Sequence, residues 1–169
     1  MKKMLGLGLV LAGVVALSGF RNSWSDNFLA RFDGGIGVDP ISNVVVNGTT
    51  TTVTPNTVRG VSPAGQIWRI ADLDATVTTD GRIRVHGRGL LLGGGNGIGT
   101  NGNQSVFATL FCGSAASSSS PAGVALETDG DFSIDDQLTP LPPGSCDNPA
   151  LLIQTTGGAH PWFAAGIPK

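Results

Sequence analysis

Tyrosine is absent from this 169-residue chain, cysteine and histidine each occur twice, and charged residues reach only 13%. Each shortage excludes something. Two cysteines 34 positions apart, with no CxxC pair and only two histidines, do not supply the ligand spacing of a zinc site. Ten basic residues in a chain of formal charge −2 leave no face able to neutralise a run of phosphates, so nucleic acid is not an expected partner. An aromatic content of 6% is low for a sugar-binding surface built from ring platforms. Long helices are also missing. Beyond the N-terminal segment no twelve-residue window carries a helical apolar period free of glycine and proline. Those two residue types, 26 glycines and 10 prolines, fill about a fifth of the chain. The 40% apolar content nevertheless rules out a charged disordered polymer, and the length corresponds to one domain with a self-sufficient core.

Lys2 and Lys3 precede an apolar run over residues 5–17, and the small residues Ala16, Ser18 and Gly19 follow. This is the pattern of a secretory signal peptide over residues 1–18, with Ala16 and Ser18 at the −3 and −1 positions of the cut. The run is too short and too rich in glycine for a good bilayer span, so membrane contact is expected only through this segment if it is retained. Leu17-Ser18-Gly19-Phe20 resembles the lipobox of bacterial lipoproteins, with Phe20 where that motif has its lipid-carrying cysteine, so no lipidation is implied. An exported chain meets oxidising conditions, and its isolated cysteines, Cys112 and Cys146, are expected to form a disulfide. In the chain-entropy treatment such a loop contributes about 3–4 kcal/mol. The expected localisation is secreted, periplasmic or at the cell envelope.

Residues 19–38 carry Trp24, Phe28 and Phe32 among polar neighbours and end in Gly34-Gly35, which suggests a loosely held leader. The domain proper is expected over residues 39–169. β-Rich runs follow at 43–46, 50–54, 66–70, 73–78, 82–92, 105–112, 124–127, 132–134 and 151–155, nearly all bounded by Gly, Pro, Asn or Asp. This pattern predicts an all-β fold, a single antiparallel β-sandwich of immunoglobulin-like or jelly-roll-like kind with one disulfide. Residues 117–120, four serines before Pro121, suggest a low-complexity loop.

Asp80-Gly81 marks a hairpin whose register can be worked out. A two-residue loop would put an apolar residue opposite a polar one at almost every rung. A three-residue loop, Thr79-Asp80-Gly81 with Gly81 left-handed, pairs Val77 with Ile83 and Ala75 with Val85 on one face. The other face then pairs Thr76 with Arg84, Asp74 with His86 and Asp72 with Arg88. A slip of one residue exchanges core and solvent faces, so the second register is predicted.

Arg82, Arg84, His86 and Arg88 form the one concentrated basic group of the domain, able in principle to hold an anionic ligand or simply to be answered by acids across the ladder. Asp129, Asp131, Asp135 and Asp136 offer oxygens of the sort calcium prefers, but without the glycine and glutamate positions of an EF-hand loop. Residues 97–102 match GxGxxG, yet a predicted strand follows instead of the helix a dinucleotide needs, so no cofactor is expected. A serine hydrolase would draw its base from His86 or His160. Ser114 lacks a nucleophile elbow, and His86 beside Asp74 is the better candidate pair. Trp68 could stack on a sugar ring, although Ile70 on its side of the strand argues for the core, and Trp162 with Phe163 reads as a C-terminal anchor. Asn47-Gly48-Thr49 and Asn103-Gln104-Ser105 fit the glycosylation pattern.

The succession of strand, Cys112, loop, strand, acidic turn, Cys146 and strand resembles the disulfide-clasped sandwiches of cell-surface proteins. The functional expectation is an exported, non-catalytic β domain acting in binding or structural display, with an envelope component or polysaccharide as the ligand class to consider. The alternatives are a surface subunit assembling by strand addition through the leader, and a secreted hydrolase using His86 and Asp74. Chaperone-assembled pilins are of similar size with two cysteines, but theirs lie early in the chain.

Overall fold

The computed structural model describes residues 27–169; the expected signal segment and Trp24 lie outside them. The described residues contain thirteen strands and no helix. In chain order they are β1 (Phe28–Gly37), β2 (Ile41–Asn47), β3 (Thr50–Pro55), β4 (Trp68–Arg69), β5 (Asp72–Thr78), β6 (Arg82–Arg88), β7 (Leu91–Leu92), β8 (Ser105–Cys112), β9 (Ala115–Ser118), β10 (Val124–Ala125), β11 (Phe132–Gln137), β12 (Ala150–Thr155) and β13 (Trp162–Pro168). The sheets are antiparallel, and Cys112 is bonded to Cys146.

The β5–β6 hairpin has the three-residue loop. Gly81 is left-handed at φ 83°, its N–H donates to the Thr78 carbonyl at 2.9 Å, and Val77 pairs with Ile83, Ala75 with Val85, Asp74 with His86 and Asp72 with Arg88. Leu73, Ala75, Val77, Ile83 and Val85 are completely buried, whereas Arg82, Arg84, His86 and Arg88 are exposed. Asp80 closes the turn: its carboxylate accepts from the Thr78 hydroxyl and from the Arg82 amide. Those two bonds, the hydroxyl foremost, hold its carboxyl below the ordinary value.

From this hairpin one sheet extends in both directions, in the order β10-β8-β12-β13-β1-β5-β6-β11 with β9 beside β8. Strands β1, β5, β6 and β11 turn one face inward, while β8 and β12 are buried on both faces. Phe32, Val85, Ile134, Leu110, Leu151, Ile153 and Ala164 meet in one core cluster. The sheet curls until its ends meet, because just beyond β11 Thr139 exchanges two backbone hydrogen bonds with Ser118 at the end of β9, at 2.8 and 3.0 Å. This satisfies backbone groups at what would otherwise be exposed edges.

Three strands lie where the sequence suggested something else. The stretch read as leader contributes β1, which pairs with β13 on one side and β5 on the other. Ala30 and Phe32 point inward at period two, and the glycines that looked like a chain break sit at a bulge between Phe32 and Gly35, with Gly34 at φ 90°. The serine run provides the end of β9, held on β8 by its backbone. The C-terminal anchor is β13, an interior strand between β12 and β1. The run expected over 82–92 breaks at left-handed Gly89, so residues 91–92 pair separately with β4.

Gly87 lies on the inward face of β6, opposite Phe132, and a Cβ there would enter the Phe132 ring. Gly87→Val is expected to destabilise the protein by about 1–3 kcal/mol in urea denaturation, as overpacking does, and Phe132→Leu in the same chain should recover part of it. An unchanged midpoint would contradict the packing. Asp80 supplies a pH test. Its folded pKa is depressed, so its contribution is present above the ordinary carboxylate range and fades as pH falls through the folded value. The melting-temperature gap between wild type and Asp80→Asn should therefore be widest near neutrality and close on acidification.

Candidate functional site

The outer face of β5, β6 and β11 is a ladder of charges. Asp135 on β11 receives Arg82 at 2.7 Å and Arg84 at 3.4 Å, all three side chains about half exposed. Arg88 stands opposite Asp72 across the β5–β6 ladder. The sequence indicated the acids of β5 as counter-charges; the carboxylate that takes two arginines comes from the other neighbouring strand. Such exposed pairs contribute at most about 1 kcal/mol each.

His86 sits mid-row between Asp74 and Ser133, its partners on β5 and β11, and Ser133 Oγ lies 3.2 Å from its Nδ1. The three residue types are those of a hydrolytic triad. Asp74 makes no ion pair with His86 within 4 Å among the described residues, and it contributes to the field that raises the pKa of Lys169, whose ammonium is bonded first of all to Asp33 at 2.7 Å. The row lies on an exposed sheet surface, without walls to exclude water around a developing oxyanion.

Trp68 is buried and stacks on Phe163, with ring centroids 4.0 Å apart and planes 12° from parallel. The backbone amide of Trp68 donates to the Val38 carbonyl at 3.1 Å, while Trp162 Nε1 donates to the Asn56 carbonyl at 3.0 Å. The Trp68 ring stack and the Trp162 indole N–H thus tie residues 56–68 to the sheet. The four acidic residues weighed as calcium ligands do not converge. Asp129 accepts from the Asp131 amide and Asp131 from the Gly89 amide, while Asp135 holds the arginines. Asp136 accepts from the amides of Ser120 and Gln137, both at 2.7 Å. Among the described residues no group of three or more potential metal ligands occurs. The 97–102 glycine segment is a run of turns, tied to residues 126–127 by Asn101 Nδ2.

The structure brings together a group that the sequence kept apart. Two adjoining clefts of about 720 and 490 Å³ share Phe107, Ser118 and His160. The first also takes in Ser119, Ser120, Pro121 and Asp136, and the second Val61, Thr109, Phe111 and Gln154. His160 stands between them in a left-handed backbone conformation, φ 54°, which a residue with a Cβ adopts only when its surroundings hold it there. What holds it is visible. Its carbonyl accepts from Gln154 Nε2 at 2.7 Å, its Nδ1 donates to the Thr155 carbonyl at 3.1 Å, and its ring meets Phe107 edge-on at 5.3 Å. A carbonyl only accepts, so the proton resides on Nδ1 and Nε2 is the acceptor of the neutral ring. The serines are engaged otherwise: Ser119 Oγ accepts from the Ala108 amide and Ser118 Oγ meets Thr109 Oγ1. The only sequence signal for this group was the serine run and the isolated histidine. A third hollow of about 460 Å³, lined by Pro40, Ile41, Ile67 and Gly94, opens at the base of the β2–β3 hairpin.

No family model matches the chain, and no curated protein or solved structure matches it.

The two surfaces predict opposite mutational responses. Trp68→Ala is expected to cost about 3–5 kcal/mol, as removal of a buried aromatic does, and Asp135→Asn less than about 1 kcal/mol at physiological salt. Equilibrium unfolding in urea measures both, and a reversed order would contradict the assignment of core and surface.

Proposed function

We propose that this protein is an exported, non-catalytic β domain that binds a neutral, hydroxyl-rich ligand, such as a short stretch of envelope or extracellular polysaccharide, in the cleft around His160. In this reading the curled sheet acts as a sandwich-like support, two walls of one sheet facing a common core, and the cleft lies on its outside over β8 and β9. The disulfide suits an oxidising compartment, which is where the N-terminal pattern would send the chain.

The observation that carries the reading is the restrained His160. A cleft in which hydroxyls, amides and the Asp136 carboxylate stand beside Phe107, Phe111, Val61 and Pro121, with one imidazole held in orientation, offers polar contacts on a largely apolar wall at little further ordering cost. Asp136 already accepts two backbone N–H bonds, so the cleft does not call for a cation. Hydrolysis at His86 is the weaker reading because its row of Asp74, His86 and Ser133 lies open to water. Assembly through the leader is weaker too, since β1 already has a partner on each side within its own sheet.

Thermal-shift titration with a panel of neutral and anionic oligosaccharides tests the proposal. A ligand specific for the native state raises the midpoint, by about 2.7 kcal/mol of stabilisation at a hundredfold excess over Kd. The expected result is a shift with a neutral glycan that His160→Ala removes and His86→Ala leaves intact. Shifts confined to anionic glycans and lost in Arg84→Ala would transfer the site to the basic stripe and overturn the proposal.

A further inference from the structure

The β2–β3 hairpin stands apart from the rest of the fold. It forms a two-stranded sheet of its own, and none of residues 41–55 belongs to the core cluster. Ile41, Val44, Val45, Val46 and Val53 are between 42% and 64% exposed, half of all the exposed large hydrophobic residues described. From Pro40 to Val58 there is no charged residue. Edge strands in water are ordinarily blunted by charge or by an inward-pointing lysine, and a lone two-stranded ribbon is marginal without a partner.

The sequence of β2 identifies that partner. Asn43-Val44-Val45-Val46-Asn47 reads the same in both directions. An antiparallel strand pairs residues in reverse order, so such a segment is its own complement. Laid against a second copy about a two-fold axis at Val45, it sets Val44 opposite Val46, Val45 opposite Val45 and Asn43 opposite Asn47, with no charge facing a like charge. The hydrogen-bonding phase agrees. The two-residue connection Gly48-Thr49 makes Asn47 and Thr50 a bonded pair, and alternation then turns the N–H and C=O groups of Val44 and Val46 to the free edge of β2. These are the residues that the two-fold axis brings opposite one another. The faces match too, since Val44, Val46 and Val53 share one side of the ribbon and would continue into the same side of the other copy. A bilayer is a poorer occupant, because the ribbon has no aromatic or basic anchor and carries threonine on β3.

We infer that β2 pairs edge to edge with β2 of a second copy of this chain, joining two domains through a four-stranded sheet β3-β2-β2-β3. The inference is independent of the His160 cleft.

Sedimentation equilibrium of the exported protein from about 1 to 500 μM tests it, a range suited to an interface at the small, weak end. Wild type is expected to double in mass with concentration. Val45→Lys places two ammonium groups face to face on the axis and should remain monomeric with an unchanged circular dichroism spectrum, the position being exposed and outside the core. Val45→Glu should do the same, and an equimolar mixture of V45K and V45E should dimerise again, which only pairing about Val45 predicts. A wild type that stays monomeric throughout, a V45K protein that still dimerises, or a mixture that fails to reassociate would each overturn the inference. So would a monomer that instead co-sediments with phosphatidylcholine vesicles, since the lipid would then be the occupant.

Discussion

Side chains alternate across a β-strand, and here the inward face of one continuous sheet supplies much of the apolar core. Register is therefore the controlling constraint, because along β1, β5, β6 and β11 a slip of one residue would send a full row of core side chains into water. The β5–β6 turn fixes it locally, through left-handed Gly81 and the carboxylate of Asp80. β1 aligns on β5 and β11 on β6, each in antiparallel register, and the order spreads outward from the hairpin. At the far side the Ser118–Thr139 exchange brings the ends together, and the Cys112–Cys146 bond ties the end of β8 to the segment before β12.

Once the inside is settled, the outside falls into three regions of different chemistry. Over β5, β6 and β11, Asp135 pairs with Arg82 and Arg84, and Arg88 faces Asp72 across the ladder. Beside β12 and β13, residues 56–68 cover the sheet through the Trp68–Phe163 stack and the Trp162 hydrogen bond, and a cleft remains at the margin of that cover around His160. The third region is the β2–β3 ribbon, uncharged and apart from the core. The binding and the association proposed above would thus draw on surfaces that the sheet leaves free, away from the core residues.

The β5–β6 hairpin could be read from the sequence because its turn chemistry and its alternation agree over a short distance. β1 could not, since its defining feature is a bulge, and Gly34-Gly35 looks the same in a bulge as at a chain break. β9 has almost no apolar signature; its serines and alanines are held by backbone pairing with β8, which only the assembled sheet provides. Asp135 as the partner of Arg82 and Arg84 required the strand order, because local reasoning looks to the hairpin neighbour first. The His160 cleft was illegible for the same reason: Phe107, the serine turn, Asp136 and His160 come from segments far apart in the chain. For β2 and β3 the strands themselves were evident, but their separation from the core was not.

Hydrogen–deuterium exchange resolved to single amides tests the central claim most directly. If β1 is an interior strand of the one sheet, the Ala30 and Phe32 amides should exchange only through global unfolding, as slowly as those of β5 and β12, while β2 and β3 exchange quickly in dilute solution. Exchange in β1 at the rate of an open loop would contradict the account, because the sheet could not then be continuous between β13 and β5.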